Sequence, residues 1–243
     1  AILKHNNPCG LACRPTVKQA YLDALAGDPV SAYGGVLVCN RPIDLDTAEE
    51  INKLFVEVLV APGYEHGVLD LLFSKKNRVI LKLNDQKFNK QTVKTALNGF
   101  LVQDRDLHVE NAGDFNTITQ KTPTQQETDD MVFANKIVKH SRSNAIVLAK
   151  GGQLVASGIG QTSRIDALKQ AIEKAHSFGF DLQGAVLASD AFFPFKDCVE
   201  LAHQAGVTAI VQPGGSVRDQ ETIDCCNENG ISMVFTGFRH FRH

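Results

Sequence analysis

From Gly184 to the C-terminus, short apolar runs alternate with amphipathic stretches that each close on a glycine, and no other feature restricts the fold as much. The apolar runs cover residues 185–188, 207–211 and 231–235. The stretches between them begin near Asp197, with Glu200 as its capping partner, and near Arg218, and end at Gly206 and Gly230. A strand–helix–strand succession of this kind implies right-handed crossovers and a mostly parallel sheet with helices packed on its faces.

The preceding chain fits the same class. Residues 145–149 and 154–156 flank Gly151-Gly152, a hairpin signal. Ser163 precedes a helix whose Ile165, Leu168, Ile172 and Ala175 share one face, with Gly179 as its stop. Thr124 and Glu127 form a capping box ahead of a helix carrying Met131, Ala134, Ile137 and Val138 on one side. In the first half the pattern predicts a helix over 15–26, a buried strand over 35–39, a helix over 46–54 capped by Asp46 with Glu49, and strands over 57–60 and 79–81. Residues 83–122 are polar and weakly patterned. A break near Lys121-Thr122-Pro123 divides the chain into lobes 1–122 and 123–243. The expected class is therefore α/β, with two lobes, each a mixed or mostly parallel sheet with flanking helices.

Composition removes several functions. A chain of 243 residues holds one large domain or two small ones. A net charge of −2 argues against a general nucleic-acid binder, which carries a strong basic excess. No apolar run approaches the roughly 18 residues that span a bilayer, and no signal-peptide pattern is visible, so no membrane partner is expected. Cysteines 9, 13, 39, 198, 225 and 226 lack disulfide-framework spacing and read as reduced thiols of a cytoplasmic protein. Ala1 opens the chain without a methionine and reads as the start of a fragment.

Chemistry-bearing residues gather at the ends. Lys4-His5-Asn6-Asn7-Pro8-Cys9-Gly10 follows apolar Ile2-Leu3, and Pro8-Cys9-Gly10 reads as a turn that presents Lys4 and His5 at a sheet edge. Lysine supplies a compact cation, and histidine carries protons near neutral pH. Three loops follow predicted strands: Ser189-Asp190-Ala191-Phe192-Phe193-Pro194-Phe195, Gln212-Pro213-Gly214-Gly215-Ser216 and Thr236-Gly237-Phe238-Arg239. Carboxyl ends of parallel strands form the ligand crevice of open sheets. Pro213-Gly214-Gly215-Ser216 reads either as an ordinary turn or as amides offered to an anion. Arg164 opens a helix where the dipole disfavours a cation, and with the glycines of Gly158-Ile159-Gly160 it reads either as a site for an anion or polar substrate or as part of a plain capped helix. Two of the three phenylalanines at 192, 193 and 195 are expected in the core, while the cluster could also wall a flat heteroaromatic ligand. Phe238 and Phe241 are expected to anchor the terminal Arg239-His240-Phe241-Arg242-His243. Zinc deaminase chemistry is excluded by spacing and order. His108-Val109-Glu110 follows Pro8-Cys9-Gly10-Leu11-Ala12-Cys13 rather than preceding it, and three residues separate the cysteines instead of two.

Together the Lys4–Gly10 motif, Ser31-Ala32-Tyr33-Gly34-Gly35, Ser143-Asn144-Ala145-Ile146, Gly160-Gln161-Thr162-Ser163-Arg164, the three loops and the terminal pentapeptide resemble one family over the whole chain. It is the AICAR transformylase domain family of bifunctional purine-biosynthesis enzymes, whose other domain is an IMP cyclohydrolase. The resemblance implies two cytidine-deaminase-like lobes without zinc, and formyl transfer from 10-formyltetrahydrofolate to the 5-amino group of AICAR. It also implies a homodimer with shared active sites. His5 would accept the amine proton, Lys4 would stabilise the developing charge or help protonate the departing folate nitrogen, and His243 would support that network. Gly34, Glu57, Asn144, Arg164, Phe192 and Arg239 match ribonucleotide-contacting positions, with Glu57 where some members carry Asp. Ile165, Asp197, Ser216 and Val217 match positions toward the folate co-substrate, and no metal is required. The cyclohydrolase domain, and a substrate-contacting Arg upstream of the Lys-His motif, are absent from this chain. The alternative from another class is a catalytically inactive α/β nucleotide-binding module.

Overall fold

The computed structural model describes residues 1–85 and 87–243. In the first half, β1 (Ile2–Lys4) and β2 (Asn7–Gly10) form a tight hairpin. Then follow α1 (Val17–Gly27), β3 (Gly35–Val38), α2 (Leu45–Asn52), β4 (Val56–Ala61), α3 (Val68–Phe73) and β5 (Val79–Lys82). These strands make a 5-stranded sheet of order β2-β1-β3-β4-β5. β3, β4 and β5 run parallel, and β1 lies antiparallel to both its neighbours. Ile2, Leu37, Ile51, Leu59 and Leu72 fill the core between sheet and helices.

Several expectations are corrected here. Pro8-Cys9-Gly10 is strand, and the turn is His5-Asn6, with φ +48° and +65°. A two-residue hairpin with both central residues left-handed matches the right-handed twist of its strands, and His and Asn tolerate that region better than most residues. The second helix starts two residues earlier than expected because Asp44, not Asp46, accepts the Thr47 amide at 2.7 Å. α3 was not anticipated, since its six residues are too short to show a period. The weakly patterned stretch holds a two-stranded ribbon, β6 (Gln91–Ala96) and β7 (Gly99–Asp104).

The second half builds β8 (Asn116–Thr117), α4 (Gln125–Lys139), β9 (Ile146–Lys150), β10 (Gln153–Gly158), α5 (Arg164–Ser177), β11 (Val186–Ser189), α6 (Asp197–Gln204), β12 (Ala209–Gln212), α7 (Asp219–Glu228) and β13 (Ser232–Phe235). Its 6-stranded sheet has order β10-β9-β11-β12-β13-β8. The alternation from Gly184 produces the expected parallel β11, β12 and β13, while β8, β9 and β10 are antiparallel, so the sheet is mixed. Gly151 and Gly152 close the β9–β10 hairpin at positive φ, and Thr124 and Glu127 complete the capping box on α4. Asp197 is the first residue of α6 rather than its cap. One core lies on each sheet face: Leu168, Leu187, Phe193 and Ile210 on one, Met131, Val147, Val186 and Val211 on the other.

α5 crosses β10 at very close range. A Cβ on Gly158 would lie 1.8 Å from the Ala167 carbonyl oxygen, which belongs to the helix backbone and cannot swing aside. Gly158→Ala is therefore expected to lower stability by about 1–3 kcal/mol, the usual range for overpacking. The midpoint of urea unfolding checks it; an unchanged midpoint refutes the close approach.

Candidate functional site

The parallel register of β11, β12 and β13 puts the three loops on one sheet edge, where they bond to one another. Phe193 N donates to Gln212 Oε1 at 2.8 Å, and Gly237 N donates to the Pro213 carbonyl at 3.0 Å. The Arg239 guanidinium stands over the Phe192 ring, 4.7 Å from its centroid, and close beside Gly215. Of the phenylalanines only Phe193 is core. Phe192 is half-buried and Phe195 is exposed under Arg218, which corrects the expectation of two core rings.

Arg164 turns away from its helix end into the sheet. Its Nη2 donates to Asp190 Oδ1 at 2.7 Å and to Asn144 Oδ1 at 3.2 Å, and its Nη1 donates to the Phe192 carbonyl at 3.1 Å. Asp190 is fully buried and Arg164 nearly so. The anion beside Arg164 is therefore Asp190 of the same chain rather than a bound ligand. A cation against a helix dipole and a lone Asp one residue past a strand were its two separate signals. Asp190 Oδ2 and Arg164 Nε have no hydrogen-bond partner among the described residues. The Gly215 and Ser216 amides, at 2.7 and 3.1 Å, donate to the Asp219 carboxylate of their own helix, so the ordinary-turn alternative holds there.

Lys4 and His5 lie on the β1–β2 hairpin. The Lys4 ammonium donates to the Tyr33 carbonyl at 2.5 Å and lies against Gly34, whose Cα–H side leaves it room. Gly34 donates to the carbonyl of Phe55, the residue before β4, at 2.8 Å, and Glu57 is exposed on that strand. His5 is exposed. A pocket of about 240 Å³ opens beside both, lined further by Asn7, Asp28, Ser157 and Lys174. Burial alone would raise the Asp28 carboxyl, but hydrogen bonds from Lys174 and Ser31 hold it below the usual carboxylate range. A separate cavity of about 260 Å³ near Ala1 is apolar and sits between α1 and β3.

Residues 142–144 join these parts. The Arg142 amide donates to Asn7 Oδ1 at 3.0 Å, just past the His5-Asn6 turn. Ser143 exchanges two bonds with Arg242 of the tail, each 2.9 Å. Asn144 holds Arg164. The opening hairpin, the buried ion pair and the closing tail therefore meet on consecutive residues. His243 itself is exposed beside Lys94 of β6, and no hydrogen bond or ion pair among the described residues joins it to Lys4 or His5. Ile165 packs half-buried on the second core, Asp197 is half-buried at the start of α6, and Ser216 and Val217 follow β12 with Val217 fully exposed.

The tail is not anchored as expected. Phe238 and Phe241 are about half exposed, at 49% and 48%, whereas His240 is 3% exposed. The deaminase-like fragments are dispersed to other tasks. His108 stacks on Phe238 with centroids 3.7 Å apart, and Glu110 bonds His240. Burial pushes the Cys9 thiol up to about 11. Among the described residues no group of His, Cys, Asp and Glu is placed to hold a metal ion. All six cysteines are free. Among the described residues no helix is long and apolar enough to cross a membrane.

Comparison with known proteins adds the family. Relatives named "Bifunctional purine biosynthesis protein PurH" include one from Bacteroides thetaiotaomicron, 63% identical over all of this chain and 48% of its own length. One from Acetivibrio thermocellus is 53% identical over 99% of this chain and 47% of its own. The chain thus spans about half the length of the curated relatives it matches. Among solved structures, a dCMP deaminase from the cyanophage S-TIM5 aligns with TM-score 0.34 and 18% identity, over 46% of this chain and 98% of its own. A guanine deaminase from Nitrosomonas europaea gives 0.32 and 15%, over 54% of this chain and 88% of its own. Likenesses at this level carry no argument about the site. The family described as "AICARFT/IMPCHase bienzyme" matches residues 1–174, well over half of the sequence, and the chain belongs to that family.

Proposed function

We propose that this chain carries the formyl-transfer half of a bienzyme of purine biosynthesis. A formyl group passes from 10-formyltetrahydrofolate to the 5-amino group of AICAR, giving FAICAR and tetrahydrofolate. The observation that supports it best is the junction at residues 142–144, which ties the Lys4-His5 hairpin to the Arg164–Asp190 pair and the tail.

His5, exposed on a turn beside a pocket, is free to take the proton of an incoming amine as the new C–N bond forms. An amine deactivated by a neighbouring carboxamide is a poor nucleophile and needs such a base. Lys4, held by the Tyr33 carbonyl, stabilises negative charge on the formyl oxygen and hands a proton to the departing folate nitrogen as the old C–N bond breaks. Arg239 and Phe192 offer a cation over a flat ring for a phosphorylated heteroaromatic substrate, with Gly34, Glu57, Asn144 and Arg164 toward the ribonucleotide. Ile165 and exposed Val217 offer apolar ground, and Asp197 and Ser216 polar groups, for the folate. His243 reaches the hairpin of its own or a partner subunit in this reading, so a cytoplasmic homodimer with shared sites is part of the proposal. The lobes 1–122 and 123–243 supply the hairpin and the loops respectively.

The test mixes the protein with AICAR and 10-formyltetrahydrofolate and follows both tetrahydrofolate and IMP. Tetrahydrofolate and FAICAR are expected, with specific activity falling on dilution as dimers dissociate. Ribonucleotide binding without transfer would favour the inactive module. IMP formed from supplied FAICAR would assign the chain the cyclohydrolase step instead.

A further inference from the structure

The buried end of the tail is a charge cluster that the reaction does not use. His240 Nδ1 lies 2.6 Å from Asp106 Oδ2, and its Nε2 lies 2.7 Å from Glu110 Oε1. Its backbone N–H donates to the Asp190 carbonyl at 3.0 Å, at the Arg164 site. Lys139, from the end of α4, lies 3.4 Å from Asp106 Oδ1 and donates to the His108 carbonyl. His140 and Arg242 stand nearby, joined by a bond from the Arg242 guanidinium to the His140 carbonyl. Two ring nitrogens can both donate only when the imidazole is protonated. A neutral ring would turn a lone pair toward one carboxylate and leave the cluster one positive charge short.

We propose that His240 is a positioning residue: its imidazolium, clamped between Asp106 and Glu110, seats the C-terminal tail on the 142–144 loop and thereby fixes the neighbouring Arg239 over Phe192. Its catalytic meaning rests on the formyl-transfer reading; the seating itself does not. The geometry fits the energetics. Burial would lower the His240 pKa, but its hydrogen bonds to both carboxylates outweigh it and raise it above the ordinary value. Asp106 and Glu110 are held low, against burial, by the same ring. His140, by contrast, is held below its ordinary value by burial and by the cations around it. The clamp is complete below the ordinary histidine pKa and is lost as pH rises through the raised one. On the acid side it persists until pH falls through the lowered carboxylate values.

Amide hydrogen exchange of His240 and Arg242 reads the seating directly, corrected for the intrinsic rate at each pH and measured on the full chain. In the wild type their protection is expected to fall as pH rises from neutral into the alkaline range. Glu110→Gln should start that fall at lower pH and weaken protection at neutral pH about ten- to a hundredfold, the worth of one charge-assisted hydrogen bond. His240→Gln should give low protection that no longer depends on pH. Unchanged exchange of the β11 and β12 amides certifies that each variant is folded. Protection independent of pH in the wild type, or unaltered by Glu110→Gln, overturns the proposal. Where transfer is active, His240→Gln is expected to raise the ribonucleotide KM severalfold more than it lowers kcat; an equal loss in kcat alone also counts against it. A protein that shows the exchange pattern but no transfer refutes the formyl-transfer reading and leaves the clamp standing.

Discussion

Arg164→Ala lowers the free energy of unfolding by about 3–5 kcal/mol, the range for removing one partner of a buried ion pair. The guanidinium bonds Asp190, Asn144 and the Phe192 carbonyl at once, with Asp190 wholly out of solvent. Truncation leaves that carboxylate buried without a cation and frees three groups from one fastener. Asp190→Asn is expected to cost less, about 1–3 kcal/mol, because an amide still accepts from the guanidinium. Urea midpoints at constant m-value measure both. A double-mutant cycle should show coupling of at least about 1 kcal/mol between the two positions. A loss under about 1 kcal/mol for Arg164→Ala contradicts the geometry. The pair holds α5 to the edge where the three loops converge, so its loss also misplaces Arg239 and Phe192.

His5→Ala is expected to cut formyl transfer by about 10²- to 10⁴-fold, the contribution of a positioned general base, with little change in stability or ribonucleotide affinity. The side chain is exposed beside the pocket, so its removal is expected to cost chemistry rather than folding. A second substitution separates the two. At φ +48° the backbone suits glycine better than histidine, so His5→Gly should fold at least as well while remaining equally slow. Lys4→Ala should lower kcat by about 10²- to 10³-fold, as loss of one oxyanion stabiliser does. Full turnover in His5→Ala would remove the base from the scheme, whatever the fate of the other residues.

The alternation after Gly184 settled the parallel strands, and with them the edge on which Ser189–Phe195, Pro213–Ser216 and Thr236–Arg239 gather. Periodicity and glycine stops are local properties, and the capping pairs Thr124–Glu127 and Ser163–Asp166 formed from neighbours three residues apart. Local chemistry also misled where two readings compete within one turn, as at Asp44 against Asp46, and where Pro8-Cys9-Gly10 looked like a turn. Its strand exists because β1 is there to pair with it. The β6–β7 ribbon was hidden for the same reason: its side chains are exposed on both faces, so no alternation marks it.

The site divided along similar lines. Residue types alone marked Lys4, His5 and Arg164, because ammonium, imidazole and guanidinium groups beside glycines are unusual wherever they occur, while Phe192 and Arg239 were singled out by the family resemblance. Their partners were beyond the sequence. Asp190 lies 26 positions from Arg164, and His240 lies 134 from Asp106 and 130 from Glu110. Only a folded chain brings such distant charges within 3 Å, and only burial turns that nearness into a strong bond, since water would screen the same groups on a surface. The sequence supplied the charged and proton-carrying groups at the chain ends; the packing of residues 142–144 brought the opening hairpin, the Arg164–Asp190 pair and the tail together.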